Sequence, residues 1–180
     1  MRLVAAPVVA ILLSFSTEPF YALIALCLFA VASATDWLDG YLARRWESVS
    51  GFGRMLDPIA DKLMVIIILA ALMGTDIASL YLAIPTMIII TREVMVSGLR
   101  EFMAKQDVVV HVTLAAKMKT TIQLIAIGFL IGTFIFAPES FYATLTHGVG
   151  MAGIWFAALL TAQTGIAYFT SALRHLNSQK

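Results

Sequence analysis

Four aspartates within one short stretch, Asp36, Asp39, Asp57 and Asp61, have the type and spacing that suit chemistry. Asp36 and Asp39 stand at i, i+3 and Asp57 and Asp61 at i, i+4, so on helices each pair projects from one face. A short turn between the two helices would fold them into an antiparallel hairpin and bring all four carboxylates to one depth. Four converging carboxylates repel one another, and some must stay protonated unless cations intervene. Two divalent cations balance the charge, and oxygen-only ligands favour a hard ion, Mg²⁺ or Mn²⁺. Metals paired about 3.5–4 Å apart suit phosphoryl chemistry, where they clamp pyrophosphate oxygens and stabilise a leaving group. Gly40 and Ala43 continue the first acidic face with little bulk, and Gly53 serves either a close ligand approach or the turn. A single buried aspartate is more often a packing or proton-relay group, and small residues on a membrane helix usually mark helix contacts. Four acids on adjacent helix ends, with glycines between them, are hard to explain by packing.

The elements that must carry these residues are hydrophobic. The chain has 180 residues, 61% hydrophobic and 13% charged, against about 25% charged in a soluble domain. A bilayer span takes about 20 apolar residues, which allows six. Apolar segments run over 2–15, 19–44, 55–74, 78–104, 111–136 and 147–174, separated by breaks at Ser16–Pro19, Trp46–Gly53, Gly74–Ser79, Lys105–Val110 and Ala137–Thr146. The expected fold is all-α, a polytopic membrane protein with six transmembrane helices in a single domain over 1–180. Met1-Arg2 and the apolar stretch after it have the flavour of a signal peptide. No small-residue cleavage site follows, so this segment is expected to stay as the first span. The lone Cys27 excludes an intrachain disulfide and a thiolate metal site. His111, His147 and His175 share no ligand spacing, and Trp37, Trp46 and Trp155 read as interface or packing aromatics.

Charge distribution orients the bundle. All twelve Lys and Arg fall on one side: Arg2, Arg44, Arg45, Arg54, Lys62, Arg92, Arg100, Lys105, Lys117, Lys119, Arg174 and Lys180. The opposite loops hold Glu18, Asp76 and Glu139 and no basic residue. By the positive-inside rule both termini and the aspartate hairpin face the cytoplasm.

Written out, the acidic segment is Asp36-x₂-Asp39-Gly40-x₂-Ala43-Arg44-x₈-Gly53-x₃-Asp57-x₃-Asp61. In every fixed position and gap it resembles the signature of the CDP-alcohol phosphotransferase family. The resemblance implies that Asp36, Asp39 and Asp57 ligate the metals, with Asp61 also near a metal and acting as general base on an acceptor hydroxyl. It further implies that Asp39, Gly40, Ala43, Arg44 and Gly53 form the cytidine-diphosphate pocket. CDP-diacylglycerol would be the lipid substrate, the enzyme a homodimer, and the location the cell (inner) membrane, multi-pass, with the active site facing the cytoplasm. Nucleic acid is not an expected partner. Members carry an Asn-x-Leu-Thr-x-x-Arg pattern before the first span, whereas this chain opens at Met1-Arg2, which reads as a truncated or misassigned start.

A second polar cluster bears on the acceptor. Thr91-Arg92-Glu93 sits in the fourth apolar segment, Ser97-Gly98-Leu99-Arg100 follows, and Lys117-Met118-Lys119 opens the fifth. Arg92, Val96 and Arg100 lie along one helical stripe. Cations facing a metal site suit an anionic acceptor such as a phosphate monoester, whereas interfacial cations can also snorkel as topology anchors. Lys105 fits the anchor reading. Arg92 is too deep for it, and Glu93 or an aspartate is its expected partner. The run TREVMVSGLREF followed by KMKT resembles the phosphatidylglycerophosphate synthase branch, whose acceptor is sn-glycerol 3-phosphate. That resemblance implies acceptor-phosphate ligands among Arg92, Arg100, Lys117 and Lys119. A family member using serine or inositol phosphate would keep the same aspartate motif. Intramembrane prenyltransferases use two aspartate-rich motifs far apart, and a cation or proton transporter would hold its aspartates nearer the midplane.

Overall fold

Where each helix starts and stops follows from local capping chemistry. A computed structural model describes the backbone at residues 2–46, 51–104 and 114–178, and side chains at 2–35, 59–60, 62–103 and 118–170. The elements are α1 (Arg2–Leu13), α2 (Pro19–Trp46), α3 (Gly51–Leu72), α4 (Leu80–Ala104), α5 (Leu114–Gly132), a 3₁₀ turn (Thr133–Ile135) and α6 (Phe141–Ser178). Pro19 opens α2 at the first helical position, where its missing N–H costs nothing. Ser79 caps α4, its Oγ accepting from the Leu82 N–H at 3.3 Å.

The last helix differs from expectation. It begins at Phe141 rather than at 147, because the Ser140 Oγ accepts from the Ala143 N–H at 3.1 Å and caps it there. Thr144 and Thr146 look loop-like in sequence, yet their hydroxyls donate back to the Ser140 and Tyr142 carbonyls at 3.2 and 2.8 Å and so fit within the helix. Glu139, at φ 67°, reverses the chain just before the cap.

Side-chain contacts give the helix directions. Gly132 and Gly128 of α5 lie against Leu26 and Phe29 of α2 in reverse order, so α2 and α5 are antiparallel. Gly150 and Gly153 of α6 meet Leu130 and Ala126 of α5, again in reverse. Arg92 and Arg100 of α4 bond Thr164 and Tyr168 of α6 in the same order, so those helices run parallel. Lys62, midway along α3, reaches Ser97 in the second half of α4. The helices thus run up and down, and α1 packs on α2 and α3. Its buried apolar stripe, Ala5, Ala6, Val9 and Leu13, joins a core made with Phe29, Ile68, Leu72, Ile127 and Ile154.

The outside is as apolar as the inside. Leu80, Met87, Phe141, Leu159 and Ile166 are all exposed, a surface that only a lipid environment or a partner would cover. Among the described residues, Leu80–Met103, Met118–Ile135 and Phe141–Thr170 are long and apolar enough to cross a bilayer. Arg2–Leu13, Pro19–Thr35 and Lys62–Leu72 are shorter apolar helices, and the described residues contain no strand. The chain is therefore an all-helical protein of membrane character. Phe15, Phe20, Tyr21, Tyr81, Phe141 and Tyr142 stand exposed at the α1–α2, α3–α4 and α5–α6 turns, one end of the bundle. Such a girdle suits a membrane–water interface.

Close packing of α5 on α6 depends on glycine. A Cβ at Gly150 would lie 2.8 Å from Leu130 Cγ and 3.0 Å from the Leu130 backbone N. A Cβ at Gly148 would meet nothing within 4 Å. Gly150→Ala is therefore expected to destabilise the protein by about 1–3 kcal/mol through overpacking. Gly148→Ala should be neutral or slightly stabilising, since alanine is the better helix former. Thermal unfolding of the two variants in one detergent compares them directly, and equal midpoints would contradict the packing account.

Candidate functional site

The end of the bundle opposite the aromatic girdle gathers the polar residues. The segments of α2 carrying Asp36, Asp39, Gly40, Ala43 and Arg44 and of α3 carrying Gly53, Asp57 and Asp61 both run to this end. The side chains of these eight residues lie outside the described residues, as does that of Lys117 in α5. Among the described residues no group of three or more His, Cys, Asp or Glu could hold a metal ion.

Toward the same end, α3, α4 and α5 contribute a cluster of cations, and α6 contributes polar partners to it. Glu93 is its anionic centre and is 9% exposed. Its Oε1 accepts from the Lys119 Nζ and lies 3.4 Å from the Arg92 Nη1. Lys119 is itself 4% exposed, so both groups of that pair are removed from water. Burying either charge alone would cost several kcal/mol, which is why each is found with its partner. Arg92 Nη2 donates to the Thr164 Oγ1 at 3.0 Å. The Arg92 Nε is buried and makes no hydrogen bond. A guanidinium carries five N–H donors in a fixed fork, and this one keeps donor capacity beyond its protein contacts.

Arg100 lies two turns further along α4, exposed, with its Nη2 3.3 Å from the Tyr168 hydroxyl. The Tyr168 ring stands between the two arginines, whose guanidinium carbons are 6.0 and 5.6 Å from its centroid. At that range the ring face attracts each cation. Lys62 donates to the Ser97 hydroxyl, which ties the middle of α3 to the second half of α4. Beside the cluster, α4 and α6 frame an apolar groove of about 860 Å³ that includes Arg92, Met95, Phe102, Ile166 and Phe169 in its lining. A groove with such walls suits an apolar chain.

Of the sequence-derived acceptor ligands, Arg92, Arg100 and Lys119 are thus brought to one region, and Glu93 is the partner of Arg92. Lys62, Ser97, Thr164, Gly165 and Tyr168 were not among the sequence candidates. A signal for the α6 residues existed: Thr161, Thr164, Gly165 and Tyr168 form a polar and small stripe at i, i+3, i+4, i+7 within an otherwise apolar helix. For Lys62 the signal was masked by its neighbour Asp61, whose motif position drew attention to a different helical face. His147 is on α6 with a buried Nδ1 that makes no hydrogen bond, and His111 and His175 lie outside the described side chains.

Comparison with known proteins adds an independent line. A family model described as CDP-alcohol phosphatidyltransferase matches residues 1–166. The chain is 40% identical to a CDP-diacylglycerol–glycerol-3-phosphate 3-phosphatidyltransferase of Cereibacter sphaeroides, the match covering 100% of this chain and 95% of that protein. Identity is also 40% to a protein of the same name from Rickettsia bellii, over 97% of this chain and 92% of the relative. A third, from Rickettsia felis, is 40% identical over 82% of this chain and 78% of its own length.

Proposed function

The chain belongs to the CDP-alcohol phosphatidyltransferase family, and from that membership we infer that it transfers the phosphatidyl group of CDP-diacylglycerol to sn-glycerol 3-phosphate. The products are phosphatidylglycerophosphate and CMP, a step of phospholipid biosynthesis. The observation that carries the acceptor is the cation cluster. Arg100 and Lys119 lie toward the end of the bundle to which the aspartate helices run, with Arg92 deeper along α4. A neutral alcohol needs no such group, whereas a phosphate monoester is held well by guanidinium and ammonium donors. Lys117 completes the proposed acceptor-phosphate set.

The donor set fits hard divalent cations, because four carboxylates offer oxygen only. Asp36, Asp39, Asp57 and Asp61 would hold two Mg²⁺ or Mn²⁺. Bound there, the ions supply charge neutralisation on the pyrophosphate and on the departing CMP. Asp39, Gly40, Ala43, Arg44 and Gly53 line the cytidine-diphosphate pocket, the small residues admitting the ligand close to the backbone. The Asp61 carboxylate takes the proton as the acceptor hydroxyl oxygen attacks the phosphorus that bears diacylglycerol. One P–O bond forms, the bond to CMP breaks, and CMP leaves with the electron pair. Acyl chains lie in the membrane. The same reading takes residues 1–180 as one domain with six spans. Both termini and the active site face the cytoplasm of a bacterial inner membrane, and the working unit is a homodimer.

The test is CMP release from CDP-diacylglycerol in detergent with glycerol 3-phosphate, serine or inositol phosphate offered separately. Turnover is expected with glycerol 3-phosphate alone, lost with EDTA and restored by Mg²⁺ or Mn²⁺. Turnover with serine or inositol phosphate, and none with glycerol 3-phosphate, would overturn the acceptor assignment.

A further inference from the structure

We propose that Thr164, Gly165 and Tyr168 of α6 are positioning residues that set where the Arg92 and Arg100 guanidinium groups stand to receive the acceptor phosphate. The proposal rests on the reading that these arginines bind that phosphate, and it adds a part of the machinery on a helix that carries none of the motif residues. Three independent contacts support it. Arg92 crosses α6 directly over Gly165, where a Cβ would come 2.9 Å from the Arg92 Cγ, 3.7 Å from Nε and 3.9 Å from Cδ. The stem of the arginine therefore lies in the space left by a missing side chain. Its far end is then pinned by Thr164, whose Oγ1 accepts from Nη2 at 3.0 Å. Thr164 can accept because its own proton goes elsewhere, to the carbonyls of Leu160 at 2.9 Å or Thr161 at 3.1 Å. One turn on, the buried Tyr168 offers its hydroxyl to Arg100 and its ring to both cations.

These contacts act on a long side chain that would otherwise sample many rotamers. Arginine's planar fork gains from being held in advance, since less freedom is then lost when an oxyanion binds. Glu93 fixes one nitrogen from below and Thr164 another from the side. The Nε is buried over Gly165 and makes no hydrogen bond. Because α6 runs parallel to α4, the residue spacing 164, 165, 168 repeats along it the order of Arg92 and Arg100. The α6 stripe thus fixes the separation of the two cations as well as the aim of each.

The experiment measures KM for glycerol 3-phosphate and for CDP-diacylglycerol, and kcat, in Thr164→Val, Thr164→Ser, Gly165→Ala and Arg92→Ala. Thr164→Val keeps the shape and removes the acceptor oxygen. It is expected to raise the glycerol 3-phosphate KM at least fivefold, with the CDP-diacylglycerol KM and kcat within twofold. Thr164→Ser should restore the wild-type value, because the hydroxyl returns. Gly165→Ala should raise the same KM by displacing the arginine stem, and thermal unfolding of each variant separates misfolding from misplacement. If Arg92→Ala raises the acceptor KM while Thr164→Val and Gly165→Ala stay within twofold of wild type, the α6 proposal fails and the acceptor reading survives. Equal changes in both KM values for Thr164→Val, or no rescue by serine, also overturn it by showing a merely structural role. If Arg92→Ala leaves the acceptor KM unchanged, the α6 proposal falls together with the assignment of Arg92 to the acceptor phosphate.

Discussion

Asp61→Asn is expected to reduce CMP release by about 10²–10⁴-fold, the range over which a positioned general base accelerates a reaction. Asparagine keeps the size and one oxygen of the aspartate but cannot take a proton from the attacking hydroxyl. Metal and CDP-lipid binding should be partly retained, because Asp36, Asp39 and Asp57 still supply carboxylates. The contrast with Asp36→Asn is informative. A residue that only holds metal should lose CDP-diacylglycerol binding together with turnover, and added Mg²⁺ or Mn²⁺ should recover part of both. Asp61→Asn should not respond to added metal, since the missing function is proton acceptance. Equilibrium binding of CDP-diacylglycerol beside single-turnover CMP release separates the two. Full activity in Asp61→Asn would remove the base assignment, and a metal-rescued defect would make Asp61 a ligand only.

Much of the architecture was legible because breaks between apolar segments carry strong local signals. Pro19 stands at the expected start of α2, and α4 begins at Leu80, two residues past the expected 78, with Ser79 as its cap. The start of α6 was not legible for a physical reason. Thr144 and Thr146 are poor markers of helix in isolation, but threonine hydroxyls can satisfy themselves on the preceding turn. The Ser140 cap then extends the helix through residues that look like a loop. In the site, the aspartate spacing was readable because four acids in apolar surroundings are individually costly. The pairing of Arg92 with Glu93 was readable for the same reason. The α6 contribution was harder to see. Thr164 and Tyr168 cost little in an apolar helix, and Gly165 matters only through what passes over it. Such a role appears only once two helices distant in sequence are brought side by side.

Replacing Arg92 by alanine is expected to raise the KM for glycerol 3-phosphate by about 10–100-fold, since a hydrogen bond to a charged group contributes about 1.5–3 kcal/mol. The KM for CDP-diacylglycerol should stay within twofold, because the donor's pyrophosphate is assigned to the aspartate site. Truncation also relieves Glu93 of one of its two cations, yet Lys119 still pairs with that carboxylate. The buried anion is therefore not left alone, and the protein should fold. Arg92→Lys distinguishes charge from geometry. Lysine keeps the charge but loses the planar fork and with it the simultaneous contacts to Glu93 and Thr164. It should recover only part of the loss. Complete recovery would mean that a point charge suffices and that the held orientation of the guanidinium contributes nothing. The acceptor range offers a second readout of the same residue. If Arg92 recognises the phosphate, removing it should narrow the preference for glycerol 3-phosphate over unphosphorylated glycerol, chiefly by weakening the former. An unchanged ratio between the two acceptors would move phosphate recognition to Arg100, Lys117 and Lys119.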